Sequence, residues 1–469
     1  MYMINWTILL VLLGFLGAML AVGAWAAKKQ KTAADFYVGG RNFNTLTVTA
    51  TQVASAFGGG MMVAHVGLGY KYGFAEFAYT GIATAIGVLL LATLVAGWLR
   101  EQDFYTTTDW MCSMYGDSKT LRAVTSVTAT LVTLGWWVSQ PIAAGKIMNL
   151  LTGIPINVGI IISAVVVVIY TMSGGIIAVA YTDVAQLGLM LFGMLILFPI
   201  AVVKAGGFNE IFAAVPQANL GLFAPGKSVV WGWILAVLPG QMVLQIYHQR
   251  IYAAKSTKVA KQGLYNLVIS CVLAGTWASL LGMAIYKLAP DLADKEMAMS
   301  WAITNLLPKT ASVIMLAGIV AAIVSTADSA LHSTSASITR DFYQNIFNLD
   351  ATDEDILKFS KKAIIVLGVV GVIIGIYIPM VLKVLVLGYT LTSSGLLFPL
   401  FLGRFWKRAT TQGAIAGMIS GVGSALLFSL VPSLKAMSVP AIGAGLITSL
   451  ITMVVFSLIT KSDKVKADT

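Results

Sequence analysis

Charge is scarce in this 469-residue chain: Asp, Glu, Lys and Arg together make up 10% of it, against 58% hydrophobic residues. A domain of this size needs a largely polar surface to stay dissolved, so the imbalance excludes an ordinary soluble fold and points to a lipid bilayer. Cysteine is scarcer still, with only Cys112 and Cys271, one in a predicted cytosolic loop and one in a predicted span. A disulfide framework is therefore not expected, and no metal-ligand spacing of Cys or His appears. Also missing are a Walker loop, a His and Glu helix pair that would hold zinc, and a G-x-S-x-G elbow. The glycines at 58–60 lie mid-membrane with no soluble strand before them, so they do not cradle a phosphate. These absences argue against an ATP-driven pump and against an enzyme.

What the chain has in abundance is apolar runs long enough to cross about 30 Å of hydrocarbon, for which a helix needs about 20 residues. Thirteen are expected, near 5–27, 45–70, 75–99, 121–150, 156–176, 184–204, 229–249, 262–287, 310–339, 362–380, 383–403, 410–431 and 438–460. The expected class is an all-α polytopic membrane protein. A formal charge of +11 suggests nucleic acid only until the basic residues are placed along the chain. With the N-terminus outside, most of them fall in cytosolic segments, among them Lys28, Lys29, Arg41, Arg122, Arg250, Arg340, Lys361, Arg408 and Lys461. That is the positive-inside pattern of a multi-pass protein of the cytoplasmic membrane, and no nucleic-acid partner is needed to explain it. Residues 5–27 read as a retained span rather than a secretory signal, because the lysines follow the apolar run instead of preceding it. Loops and tails are short, so whatever the protein does is expected to happen inside the bilayer. The acidic run Asp350, Asp353, Glu354, Asp355 reads as a solvated face.

Two spans carry helix breakers: the second at Gly58, Gly59 and Gly60, the seventh at Pro239 and Gly240. They lie five spans apart. An odd offset means the second copy enters from the opposite side, which is the arithmetic of an inverted repeat. The organisation expected is a first span and loop over 1–44, one half over 45–205, its inverted partner over 206–404, and two further spans and a tail over 405–469. In the ninth span Ala322, Ser325, Thr326, Ser329, His332 and Ser333 recur at three-and-four spacing and draw a polar stripe down one face. Hydroxyls so dense at bilayer depth need partners, and a hard cation supplies one. Counted from Ser312 at 1.5 Å per residue, Ser325 lies about 20 Å down, level with Ala54 and Phe57 just before the glycine break.

The pieces TATQVASAFGGG with GLGY (49–60, 67–70), SGGIIAVAYTDVAQ (173–186), QRIYAAKS (249–256), AAIVSTADSALHSTSASITRDFY (321–343) and GRFWKRATTQGAIAGMISG (403–421) resemble the solute:sodium symporters in order and spacing. That family includes sodium-coupled sugar, proline, sialic acid and choline carriers. The resemblance implies a five-plus-five inverted-repeat core with broken second and seventh helices and one sodium ion between spans two and nine. Its ligands would be the carbonyls of Ala54, Phe57 and Ala322 and the hydroxyls of Ser325 and Thr326. In some members the positions matching Asp183, Ser325, Asp328 and Ser329 form a further sodium site. The competing reading is that Asp183 caps the sixth span and that Asp328 pairs with a hydroxyl or a basic group.

Expected solute contacts are Gly58, Gly59, Met61 and Met62 in the unwound segment, Trp137 and Gln140 in span four, and Gln241 and Gln245 in span seven. His65, just past the break, is the histidine expected to meet solute, whereas His248 beside Arg250 reads as structural. Choline is disfavoured, since tryptophans of the choline carriers align with Ala56 and Leu244. The function expected is import of a small polar organic solute, with zwitterions such as amino acids favoured, driven by the sodium gradient. The rival reading is a membrane solute sensor that acts through a separate signalling partner. The partners implied are the small-molecule substrate, sodium and the lipid bilayer; the sequence specifies no oligomeric state.

Overall fold

A computed structural model describes residues 32–435 and 439–461, with Gly14, Gly17, Ala18, Ala21, Val22, Trp25 and Met437. Most of the expected first span at 5–27 and the lysines that follow it lie outside the described residues, as does most of the C-terminal tail. Among the described residues the chain is helical, with a single isolated bridge between Phe43 and Ala254. Among the described residues nine helices are long and apolar enough to cross a bilayer, from Ala75–Leu94 through Ala441–Ile459, and Ile156–Met172 is a shorter apolar one. The fourth expected span is the single helix Lys119–Thr152, whose run of Thr and Ser, with Gln140 and Lys146, makes it too polar to count by composition alone.

The second span breaks where its glycines stand. Thr45–Ala56 is α-helical, Gly60–His65 is a wide π-type turn, and Val66–Tyr72 resumes the α-helix. Close approach explains the glycines: a Cβ on Gly58 would collide with the Thr326 hydroxyl, and one on Gly59 would stand 2.7 Å from Ala143 Cβ.

The seventh span differs from expectation. Lys227–Met242 runs straight through Pro239 and Gly240 and stops at Val243 and Leu244, after which Gln245–Ala253 begins. Proline disturbs the turn N-terminal to it, through its missing N–H and its clash with the carbonyl four residues back, so it does not itself unwind the residues that follow. Side chains beyond the break support it instead: His248 Nε2 lies 2.9 Å from the Met242 carbonyl that the break releases.

A second difference lies between the fifth and sixth spans. In place of a loop near 177–183 the two helices within Ile156–Lys204 join directly at Gly175, whose φ 50 and ψ −169 are not helical, so the sixth span begins there. Asp183 therefore sits two turns inside a helix and caps nothing. The acidic run at 350–355 also has a specific job, since Thr352 and Asp355 form a capping box that opens the helix Asp353–Tyr377.

Lys309–Ser337, which carries the hydroxyl stripe, packs against Thr45–Ala56, Lys119–Thr152 and Ile156–Lys204. On the expected cytosolic side the chain before the second span is clasped to the chain after the seventh: the Phe43 N–H donates to the Ala253 carbonyl at 3.0 Å and the Lys255 N–H to the Phe43 carbonyl at 2.9 Å.

Candidate ion and solute site

A cavity of about 40 Å³ lies where the two broken spans meet, roughly the room that one or two waters need. Phe57, Gly58, Gly60, Met61 and His65 line it from the second span, Trp136 and Gln140 from the fourth, Gln241 and Tyr247 from the seventh, and Tyr389 from the helix Val381–Phe405. Tyr389 ties its walls together, with its hydroxyl accepting from Trp136 Nε1 at 3.0 Å and Gln241 Nε2 at 2.8 Å. Three buried polar atoms here have no partner: Gln241 Oε1, Tyr247 Oη and Tyr79 Oη. Unsatisfied groups at this depth are costly, so they mark where a polar solute would recover hydrogen bonds.

Beside the cavity the stripe meets the unwound span. Thr326 Oγ1 donates to the Ser55 carbonyl at 2.8 Å, with the Ala54 carbonyl at 3.4 Å. Ser325 Oγ donates to Asp183 Oδ1 at 2.5 Å. Ala54, Phe57, Ala322, Ser325 and Thr326 are all buried, and Ala322 lies one turn before Thr326 on the same helix. The donors on offer are hydroxyl and carbonyl oxygens, the chemistry of a hard monovalent cation. Among the described residues no group of three or more His, Cys, Asp or Glu could hold a transition metal.

One turn toward the expected cytosolic side lies a second polar cluster, with Arg250 at its centre. Sequence reading placed this arginine among the cytosolic basic residues; in the fold it is fully buried. Its Nη2 donates to Ser329 Oγ at 2.6 Å and to Ser55 Oγ at 3.2 Å, its Nε to Thr51 Oγ1 at 3.3 Å, and its Nη1 to the Ile246 carbonyl at 3.3 Å. Asp183 accepts hydroxyl bonds from Thr51 and Ser325. Asp328, also fully buried, has neither oxygen satisfied.

Of the expected solute contacts, Gly58, Met61, His65, Gln140 and Gln241 line the cavity. Gly59 stands behind it, its N–H bound to Gln140 Oε1 at 2.7 Å, and Met62 is buried outside the lining. Trp137 points the other way, toward Asp353–Tyr377, where its Nε1 donates to the Leu367 carbonyl at 3.0 Å. Its neighbour Trp136 faces the cavity because it shares a helix face with Gln140, four residues on. Gln245 lies on the far side of the break, where its Oε1 accepts the Thr107 N–H at 2.6 Å and the Thr107 hydroxyl at 2.5 Å. It holds the loop helix Thr107–Tyr115.

Sequence reading missed Trp136, Tyr79, Thr80, Tyr247, Cys271 and Tyr389 in the lining, and Thr51, Ser55 and Arg250 in the polar cluster. It also missed Glu76, although a lone carboxylate in an apolar run is itself a signal. Glu76 is fully buried and meets the one histidine that faces the cavity: its oxygens lie 2.9 and 3.0 Å from His65 Nδ1, and Thr80 Oγ1 donates to it at 2.5 Å. The other two histidines are engaged elsewhere, His248 with Met242 and Thr107, and His332 with the Phe36 carbonyl at 3.0 Å.

The profile of the sodium:solute symporter family matches residues 36–421. Along its length the chain is 28% identical to the osmoregulated proline transporter of Bacillus subtilis, over 95% of this chain and 93% of that one. It is 25% identical to the sodium/glucose cotransporter of Vibrio parahaemolyticus, over 97% and 90%, and 26% identical to the sodium/pantothenate symporter of Escherichia coli, over 88% and 89%. Its fold superposes on a sodium-coupled sialic acid symporter, solved in a substrate-bound outward-open state, with a TM-score of 0.84 at 21% identity, over 100% of this chain and 99% of that one.

Proposed function

Because this chain belongs to the sodium:solute symporter family, we propose that it imports a small polar zwitterion, an amino acid or a close analogue, together with sodium by alternating access of the halves 45–205 and 206–404. The observation that carries this reading is the double position of Thr326. Its hydroxyl faces the carbonyls freed by the unwound span, and the same residue lines the cavity. An ion held by Ala54, Phe57, Ala322, Ser325 and Thr326 would thus set the shape of the wall against which solute rests. That is how binding of one favours binding of the other. Each sodium carried inward contributes about 2.3 kcal/mol per 100 mV of membrane potential, so one ion supports roughly fifty-fold accumulation.

Charge counting supports a second cation. Asp183 and Asp328, when ionised, bring two negative charges to a buried cluster in which Arg250 supplies one positive charge. The remaining charge of −1 and the unsatisfied oxygens of Asp328 suit one further monovalent cation near Asp183, Ser325, Asp328 and Ser329. With the N-terminus outside, the mouth of the pathway at Lys146 and Asp294 faces out and that at Arg122 and Asp341 faces in.

Replacing Ser325 and Thr326 together by alanine removes two oxygens and leaves helix propensity no worse. In proteoliposomes the double variant should lose sodium-dependent solute uptake while inserting normally. Unchanged sodium activation would exclude the assignment.

A further inference from the structure

The cavity lining contains no arginine or lysine, and the one side chain in it able to carry a positive charge is His65. Its Nδ1 is held by Glu76, with Oε2 at 2.9 Å, and Thr80 Oγ1 lies 3.1 Å from the same nitrogen. Nε2 is therefore the ring nitrogen left for the cavity. Tyr79 packs its ring edge-on against the imidazole at 4.8 Å and fixes its plane. Glu76 lies behind the ring, fully buried and outside the lining.

A carboxylate this deep costs least as half of a neutral ion pair, and the group positioned to complete that pair is the imidazole. Pairing makes both ring nitrogens donors. Nδ1 is spent on Glu76, which leaves Nε2 as the ring nitrogen available to a solute. We propose that His65, its Nδ1 anchored on Glu76, recognises a carboxylate on the transported solute through its other ring nitrogen, with Glu76 as its positioning residue. The proposal rests on the symporter reading above and deepens it: the solute belongs to the carboxylates, and the residue that reads its acid group is on the second span.

The test uses the purified full-length protein in detergent, with thermal stabilisation measured in sodium and in potassium. The probes are L-proline, pantothenate, N-acetylneuraminate, lactate and glutamate, set against prolinamide, pantothenol and glucose. The expected result is that a carboxylate stabilises the wild type and that its amide or alcohol counterpart binds at least about tenfold more weakly, the discrimination that a charged hydrogen bond provides. His65→Gln and Glu76→Gln should each erase that carboxylate preference, which a merely structural role would leave in place, and Glu76→Asp should restore part of it. Stabilisation by sodium alone should persist in all three variants and certify their folding.

The proposal is overturned if a probe lacking the carboxylate binds as tightly as its acid, if no carboxylate in the panel stabilises the protein, or if His65→Gln keeps the preference. The two readings separate cleanly. An uncharged solute bound only in sodium would sink the carboxylate proposal and leave symport standing; a carboxylate bound equally in potassium would do the reverse.

Discussion

Asp183 and Asp328 differ in a way that their shared helix-interior setting hides. Asp183 accepts two hydroxyl bonds, from Thr51 and Ser325, while Asp328 accepts none. An amide at Asp183 would turn an NH₂ toward a hydroxyl that now donates, so Asp183→Asn should disturb Ser325 and weaken sodium activation by roughly tenfold, the size of one charged hydrogen bond. An amide at Asp328 breaks no hydrogen bond and removes one charge. Asp328→Asn should therefore leave the first ion in place and bring the Hill coefficient for sodium to one. Uptake titrated with sodium in proteoliposomes reads both effects, and wild-type affinity and cooperativity in both variants would leave a single ion at Ala54, Phe57, Ala322, Ser325 and Thr326. Gly58 makes a stricter demand: with the Thr326 hydroxyl where its Cβ would go, Gly58→Ala should push the two spans apart and abolish sodium-dependent uptake.

Single elements show what a sequence can and cannot specify. The break at 58–60 is legible because three consecutive glycines in an apolar run have few other uses, and the hydroxyl stripe is legible because a helix repeats its faces every three or four residues. The break in the seventh span is displaced because its cause is tertiary: His248 and Gln245 satisfy groups that the proline does not touch. Arg250 looked cytosolic because a basic residue near a span end usually is; its partners Thr51, Ser55 and Ser329 come from two other helices, beyond the reach of local pattern. Trp136 and Trp137 are equivalent in composition, and only packing decides which of them meets the cavity. Gln245 offers a test of this distinction. Gln245→Leu leaves the Thr107 N–H unpaired, with the Thr107 hydroxyl keeping only His248, and should cost about 1–3 kcal/mol of stability, while half-saturating solute concentration stays unchanged. A rise in that concentration with normal melting would put Gln245 back in the solute site.

Across the whole molecule, ion pairs flank the cavity-lining stretch of Lys119–Thr152 on both sides of Trp136 and Gln140. On the expected outer side Lys146 meets Asp294 and Glu296, each at 2.7 Å, joining Lys119–Thr152 to the segment before Ala298–Leu306. On the expected inner side Arg122 meets Asp109 at 3.3 Å and Asp117 at 2.6 Å, the latter a hydrogen bond that holds the Asp117 carboxyl below its ordinary range, while Arg340 stacks over Tyr105 at 3.9 Å. In the alternating-access cycle proposed above, these two networks would open in turn. Cys271 lines the cavity, and the chain's other cysteine, Cys112, is buried toward the expected inner side, so in a Cys112→Ser background Cys271 is a single native reporter of which side is open. Lys146→Ala removes the cation that joins the outer pair and leaves the inner network intact. A membrane-impermeant thiol reagent added outside intact cells should then modify Cys271 several-fold faster than in the background protein, whereas Arg122→Ala, which loosens the inner side, should slow that labelling. Equal outside labelling in the two variants would mean that these ion pairs decorate the pathway without gating it.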